Sequence, residues 1–312
     1  MKEDKFTIDR WDVEPLLQQD KIRERTMAIV CVAGSTYTGG MDDIESIDSL
    51  LKERGWDIPI HVDGATGGFV CSFSSRYRKR WNFSLPHVKS INVSNHKFGF
   101  VYPGLGAVLF REGDYIPEEL IFNISYLGGT PYQDYTLNFS RGSGTLWAQY
   151  YNLLRLGMRG YIEIIHRIME TTDRLVNRMV TITDDNGDQV FTPLSACTKV
   201  DHGYKLVFPI IVLQVMGKYQ AALAQRIQNE IKRIGGWVVP AYQLMSTPAE
   251  YLMPERHKLP YHVVRIMVKE NFSEDMADII YETTKQIVND FYKQDASQRE
   301  RPKIEIMFRL TC

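Results

Sequence analysis

Four cysteines in 312 residues, none of them spaced as a pair, are too few and too scattered for a disulfide framework or a zinc site. Cys31, Cys71, Cys197 and Cys312 therefore read as reduced thiols in a cytoplasmic compartment, and no metal is expected. An excess of one charge is also missing, since 37 basic side chains face 38 acidic ones for a formal net charge of −1. Nucleic acid and anionic membrane surfaces call for a clustered basic excess, so neither is an expected partner. The apolar runs are too short to span a bilayer, and Met1-Lys2-Glu3-Asp4-Lys5 lacks the apolar core of a secretory signal. Without secretion, tripeptides such as Asn92-Val93-Ser94 and Asn138-Phe139-Ser140 are chance matches to the glycosylation pattern. Repeats and low-complexity tracts are absent.

What is present is a chain with 44% hydrophobic residues, long enough for two domains of roughly 100–200 residues each. Met27 to Val32 is a short apolar run ended by Ala33-Gly34-Ser35-Thr36. Asp42 to Arg54 carries helical spacing at Ile44, Ile47, Leu50 and Leu51, with Gly55 as its stop. Strands at Ile58 to Val62, Val88 to Val93 and Gly106 to Phe110 complete a strand, helix, strand order. That order predicts an α/β domain whose parallel strands are buried on both faces. Thr145 to Met179 is one long helical stretch, weakened in its middle by Gly157 and Gly160, that crosses into a smaller domain. Asp184-Asp185-Asn186-Gly187-Asp188 predicts a turn, followed by a strand from Tyr204 to Pro209 and a helix from Tyr219 to Ile234 stopped at Gly235-Gly236. Strands at Trp237 to Val239 and His262 to Val268 come next, then a helix from Glu274 to Tyr292 capped by Ser273.

The richest chemistry lies in Ile91-Asn92-Val93-Ser94-Asn95-His96-Lys97-Phe98-Gly99, an apolar run ending in small polar residues and a His-Lys pair. A lysine just beyond a buried strand is pushed by desolvation toward its neutral amine, which forms a Schiff base with an aldehyde; pyridoxal phosphate is the aldehyde to suspect. An isolated His-Lys pair is more often a solvated loop element. The context here is Ile58-Pro59-Ile60-His61-Val62-Asp63, a strand ending in an acid, and Gly64-Ala65-Thr66-Gly67-Gly68, whose glycines would let the backbone approach a bound ring. A carboxylate such as Asp63 keeps a pyridine nitrogen protonated, the alternative being an ordinary N-cap or turn residue. Ligands of open α/β sheets bind outside the carboxyl ends of the strands, so Asp63 and Lys97 are expected to converge on one crevice.

Four blocks in order resemble the glutamate decarboxylase family: His61-Val62-Asp63-Gly64-Ala65-Thr66-Gly67-Gly68-Phe69, the stretch Ser90 to Gly99, Phe122-Asn123-Ile124-Ser125-Tyr126-Leu127-Gly128-Gly129, and Leu137-Asn138-Phe139-Ser140-Arg141. Shorter matches include Ser35-Thr36-Tyr37-Thr38-Gly39, Gln149-Tyr150-Tyr151, Leu154-Arg155-Leu156-Gly157, Gly236-Trp237-Val238-Val239-Pro240-Ala241-Tyr242 and Val264-Arg265-Ile266-Met267. The resemblance covers nearly the whole chain. It implies an N-terminally truncated member, because the family carries a long segment before the equivalent of Met1, with a serine-bearing helix N-terminus for the cofactor phosphate. Met1 to Arg25 shows no replacement for it. The implied fold is the α/β, aspartate-aminotransferase-like fold type I of pyridoxal-phosphate-dependent transferases. Residues 1–168 would be the C-terminal part of the large cofactor domain and 169–312 the small α+β domain.

The resemblance also implies roles. Lys97 would hold pyridoxal 5'-phosphate, Asp63 its ring nitrogen, Ala65 its ring face, Thr36 the neighbourhood of its ring oxygen, and Ser94 and His96 its phosphate. Taken singly, His96 is equally a satisfied structural histidine, and Thr36 or Ser94 an ordinary turn hydroxyl. Arg265 resembles the arginine that grips a substrate carboxylate through a bidentate fork, the alternative being a surface ion pair at a strand edge. Tyr126 is the implied proton donor, on a loop, 122–141, that reaches a neighbouring subunit's site in a homodimer or higher homo-oligomer. Leu127 would exclude water there, and Ser140 would reach the neighbour's phosphate. The implied reaction is loss of the α-carboxyl group from L-glutamate, giving 4-aminobutyrate and carbon dioxide. Two other readings stay open: a decarboxylase or lyase for another substrate, and a catalytically silent fragment or dimer partner of a full-length decarboxylase. The basic, apolar tail Arg299 to Cys312 is similar to the calmodulin-binding end of some plant relatives, but Pro302 and the alternation of Ile304, Ile306 and Phe308 favour a strand.

Overall fold

The computed structural model describes residues 6–125, 128, 132–135, 140–201, 203–244 and 261–294. The chain divides into two compact units, the first made of 7–35 and 40–165 and the second of 1–6, 36–39 and 166–312. The polar, charge-mixed stretch before Arg25 contains helices α1 (Arg10–Leu17) and α2 (Asp20–Arg23), the first opened by Asp9 accepting from the Trp11 N–H.

Three strands of the first unit, β1 (Ile29–Val32), β2 (Ile60–Asp63) and β3 (Val88–Val93), run parallel, and β4 (Ala107–Phe110) lies antiparallel to β3 at the sheet's edge. Between β1 and β2, α3 (Ile44–Arg54) forms where apolar residues recur three and four apart. Asp43 caps it by accepting from the Ser46 N–H, and Gly55 ends it at φ +65°, in the left-handed region. Ile44, Ile47, Leu50 and Leu51 are fully buried in one cluster with Ile60, Val62, Val88 and Ile91. Each such burial is worth about 1.5–3 kcal/mol, so α3 settles which face of the sheet is core.

Side chains alternate across a strand, and on β2 Ile60 and Val62 are buried while His61 and Asp63 are only half-buried. All four residues of β4 are exposed. The expected burial on both faces therefore does not occur. The second face carries His61, Asp63, Ser90 and Asn92, polar groups that bond to one another. After β2, α4 (Gly67–Phe73) approaches β3 so closely that a Cβ on Gly68 would stand 2.4 Å from Val93 Cγ1, and one on Gly64 2.9 Å from the Asn92 carbonyl. These glycines admit the helix and its turn to β3. A hairpin of β5 (Phe122–Ile124) and β6 (Tyr132–Asp134) follows. The long helical stretch is α5 (Gly144–Met179), which Gly157, at φ +56° and ψ −168°, splits into two helical segments.

The second unit continues through β7 (Phe191–Pro193), a hairpin of β8 (Cys197–Val200) and β9 (Gly203–Leu206), β10 (Ile210–Val215), α6 (Gln220–Gly235), β11 (Ala241–Leu244), β12 (Tyr261–Met267) and α7 (Glu274–Tyr292). Its main sheet is antiparallel in the order β11-β12-β10-β7. The expected strand Tyr204 to Pro209 is replaced by β9 and, next to it, a strand that sequence reading missed: β10 is almost uniformly apolar and buried, so it has no period to detect. Trp237 to Val239 is not a strand, and β11 begins two residues later. Ser273 caps α7 as predicted, its hydroxyl accepting from the Met276 N–H. Among the described residues no helix is long and apolar enough to cross a membrane.

Candidate active site

Because β2 and β3 are parallel neighbours, their carboxyl ends lie at one edge of the sheet, and the turns that leave them are joined. Asp63 Oδ1 accepts from the Ala65 N–H at 3.1 Å. Lys97 Nζ donates to Thr66 Oγ1 at 3.1 Å, and the Ser94 N–H donates to the Ala65 carbonyl at 3.3 Å. One short turn, residues 63–66, thus holds both the carboxylate and the amine. Thr66 is buried, so its hydroxyl meets the amine away from bulk water. Asp63 Oδ1 also accepts from Asn92 Nδ2 at 3.0 Å.

His96 is tied to the same loop from the other side. Its backbone N–H and its Nδ1 both reach the Leu105 carbonyl, at 3.3 and 2.8 Å. A carbonyl only accepts, so Nδ1 carries the hydrogen, and Nε2 donates to an anion only when the ring is an imidazolium. His96 is therefore a half-satisfied structural histidine with one nitrogen in reserve.

The loop beyond Lys97 is clamped by side chains to which the sequence alone assigned no role. Asn95 Nδ2 donates to Gln149 Oε1 at 3.1 Å, Gln149 Nε2 to the Tyr161 hydroxyl at 3.0 Å, and that hydroxyl to the Gly99 carbonyl at 3.1 Å. Tyr161 is wholly buried and stacks on Phe73 and Phe100 at 4.7 and 5.4 Å between ring centres. Burial raises the Tyr161 phenol above its ordinary pKa, the Gln149 hydrogen bond opposing this. Phe100 sits at φ +62°, a left-handed conformation that costs a non-glycine residue about 1–3 kcal/mol. Its carbonyl is held by Asn152 Nδ2 at 2.9 Å. Gly99 has no room for a side chain, since a Cβ would stand 2.5 Å from the Asn95 carbonyl.

Two predicted residues belong to the second unit. Arg265, on β12 in the interior of its sheet, donates from Nη1 to the Thr36 carbonyl at 2.8 Å and lies 5.9 Å from the Tyr242 ring centre. It makes no ion pair at a strand edge among the described residues. Tyr242 donates to the Tyr37 carbonyl at 2.6 Å, and burial pushes its phenol up to about 12 while Arg265 pulls the other way. Thr36 is exposed and engages Arg265 through its backbone, so its hydroxyl is not what holds the arginine. Ser140 is exposed. Tyr126 and Leu127 lie outside the described residues. Among those described, no group of three His, Cys, Asp or Glu side chains is placed to hold a metal ion.

An amine, a carboxylate, a turn hydroxyl at Ser94 and a ring nitrogen of His96 without a partner among the described residues are gathered at the carboxyl ends of two parallel strands, a donor set whose chemistry would suit the aldehyde, pyridine and anionic ends of a pyridoxal-type cofactor. In comparisons with known proteins, the Pyridoxal-dependent decarboxylase conserved domain matches residues 2–186. Glutamate decarboxylase 5 of Arabidopsis thaliana is 36% identical over 288 residues, 89% of this chain and 51% of the relative. Glutamate decarboxylase of Lactobacillus brevis CGMCC 1306 superposes with a TM-score of 0.69 at 30% identity, over 86% of this chain and 56% of that one. Catharanthus roseus tryptophan decarboxylase, at 14% identity and a TM-score of 0.65 over 91% of this chain and 54% of that one, shares the fold alone. The chain spans about half the length of the curated relatives it matches. On the matched domain and the fold type I architecture, the chain belongs to the pyridoxal-dependent decarboxylase family.

Proposed function

We propose that this chain serves a cytoplasmic, pyridoxal 5'-phosphate-dependent glutamate decarboxylase that converts L-glutamate to 4-aminobutyrate and carbon dioxide. The observation that carries the reading is the turn 63–66, bonded at once to the Asp63 carboxylate and the Lys97 amine. When bound, the cofactor supplies an electron sink for the bond broken at the amino acid's Cα. The rest falls to the chain. Lys97 offers a primary amine on a short tether, released from Thr66, for covalent attachment. Asp63 holds a proton on the ring nitrogen through its negative charge. Ala65 would pack on the ring face, Thr36 would lie near the ring oxygen, and Ser94 with His96 would hold the phosphate. Arg265, with one nitrogen on the Thr36 carbonyl, keeps the rest of its fork for a carboxylate of the substrate. Tyr126 delivers the proton to Cα in a homodimer or higher homo-oligomer, with loop 122–141 at the subunit interface, Leu127 excluding water and Ser140 reaching the neighbour's phosphate. Residues 1–168 act as the cofactor-domain part and 169–312 as the small domain. Identity near 35% with glutamate decarboxylases supports glutamate over aromatic or sphingoid substrates.

The test incubates the purified chain with pyridoxal phosphate, reduces it with borohydride and maps the adduct by mass spectrometry. 4-Aminobutyrate is measured in parallel, with aromatic amino acids as competitors. An adduct on Lys97, lost in Lys97→Ala, together with 4-aminobutyrate release supports the reading. Its absence refutes it. Coverage of only about half of each relative favours one second reading, a silent partner of a longer decarboxylase, whose mark is an adduct without turnover.

A further inference from the structure

We infer that Asn92 is a positioning residue: its side-chain amide, anchored by His61, dictates which Asp63 oxygen is saturated and so turns the carboxylate toward the cofactor's ring nitrogen. The inference rests on the proposed cofactor chemistry and deepens it.

The arrangement begins with a register shift. Ile60 pairs with Val88, but His61 pairs with Ser90, so Lys89 is skipped by a bulge. In the register without that shift, Asp63 would face Ile91, a core residue; with it, His61 faces Ser90 and Asp63 faces Asn92 on one side of the sheet. The four side chains then form a chain of hydrogen bonds. Ser90 Oγ meets His61 Nδ1 at 2.7 Å, His61 Nε2 meets Asn92 Oδ1 at 2.9 Å, and Asn92 Nδ2 meets Asp63 Oδ1 at 3.0 Å.

The chemistry of the groups fixes every direction. An ionised Asp63 can only accept, so the Asn92 NH2 must face it. The amide oxygen then faces His61 and can only accept, which places a hydrogen on Nε2, and in the neutral ring Nδ1 accepts from the Ser90 hydroxyl. No amide flip is tolerated, because it would set an oxygen against a carboxylate and an NH2 against an N–H. With the Ala65 N–H also on Oδ1, two donors hold one carboxylate oxygen, and the other, which accepts no hydrogen bond from the described residues, is left for the ring nitrogen.

The test uses the purified chain loaded with cofactor labelled with 15N at the ring nitrogen. In wild type the 15N resonance is that of a protonated ring. Asn92→Ala retains the borohydride adduct on Lys97, but its 15N resonance moves toward the unprotonated position. Its kcat falls roughly tenfold to a hundredfold, the scale of one hydrogen bond to a charged group, with KM for glutamate little changed. Asn92→Leu, nearly isosteric but unable to donate, leaves the same carboxylate oxygen without its amide partner and shifts the resonance the same way, which covers the case where the alanine variant does not fold. His61→Phe removes the anchor and gives a smaller shift of the same sign. A wild-type resonance in both Asn92 variants, with the Lys97 adduct intact, overturns the role of Asn92 while leaving the cofactor reading standing. Absence of any adduct in wild type overturns that reading instead.

Discussion

In the parallel sheet, β2 alternates buried and half-buried residues from Ile60 to Asp63, whereas in the antiparallel sheet every residue of β10 except Gln214 is buried. Parallel sheets are ordinarily covered on both faces and antiparallel ones wet on one, so strand direction is a poor guide here. The difference teaches what a reactive face requires. The parallel sheet packs α3 on one side and keeps the other for His61, Asp63, Ser90 and Asn92, which satisfy one another and present groups at the strand ends. The antiparallel sheet spends its central strand on packing and contributes a single cationic fork, Arg265, from β12.

The sharpest way to break this contrast is to remove the charge from the polar face. Asp63→Asn keeps the shape of the site and is expected to lower kcat on the order of 10²–10³-fold, the scale of deleting one preorganised electrostatic partner; steady-state 4-aminobutyrate production checks it. In the antiparallel sheet the corresponding change is milder. Arg265→Lys retains the charge but loses the planar fork, so KM for glutamate should rise by roughly 10–100-fold with a smaller change in kcat.

The next two changes test packing. Gly68→Ala forces a Cβ to 2.4 Å from Val93 Cγ1, and an overpacked contact of this kind costs about 1–3 kcal/mol. Urea denaturation should show that loss, and Val93→Ala in the same chain should return part of it. If Gly68→Ala is neutral in stability but weakens cofactor uptake, the glycine serves the ring after all.

The smallest effect concerns the buried thiols. Burial pushes Cys31, on β1, and Cys71, on α4, up to about 12 from an ordinary 9.0. Between those values the unfolded chain has released thiol protons that the native chain retains. Native protein then binds more protons, and stability falls as pH rises from 9 toward 12. Urea midpoints should fall less steeply across that window in Cys31→Ala than in wild type.

Much of the site was legible because its signals are local. Asp63 and Lys97 each follow an apolar run, and Gly55, Ser273 and Gly157 announce helix ends and a break through their own backbone chemistry. The polar quartet left a trace as well: His61 and Asp63, then Ser90 and Asn92, recur every second residue in strands that apart from Lys89 are otherwise apolar. Read as a period of two, they mark one face. Asn92 itself was passed over because its partner lies 29 residues away and only strand pairing joins them. Tyr161, and any role for Gln149 beyond its place in the matched block Gln149-Tyr150-Tyr151, went unread for the same reason, both being bound to the Lys97 loop from a helix more than 50 residues downstream.

By itself, the order of residues determined where helices start and stop, which strands carry an acid or an amine at their ends, and the family to which the chain belongs, because each of these depends on neighbours within a few positions. Tertiary structure alone decided the register that sets Asn92 rather than Ile91 beside Asp63, and it alone decided which face of the sheet α3 would cover. A skipped Lys89 cannot be read from composition or period. Its consequence, a donor instead of a methyl group facing the carboxylate, exists only once two distant strands have paired.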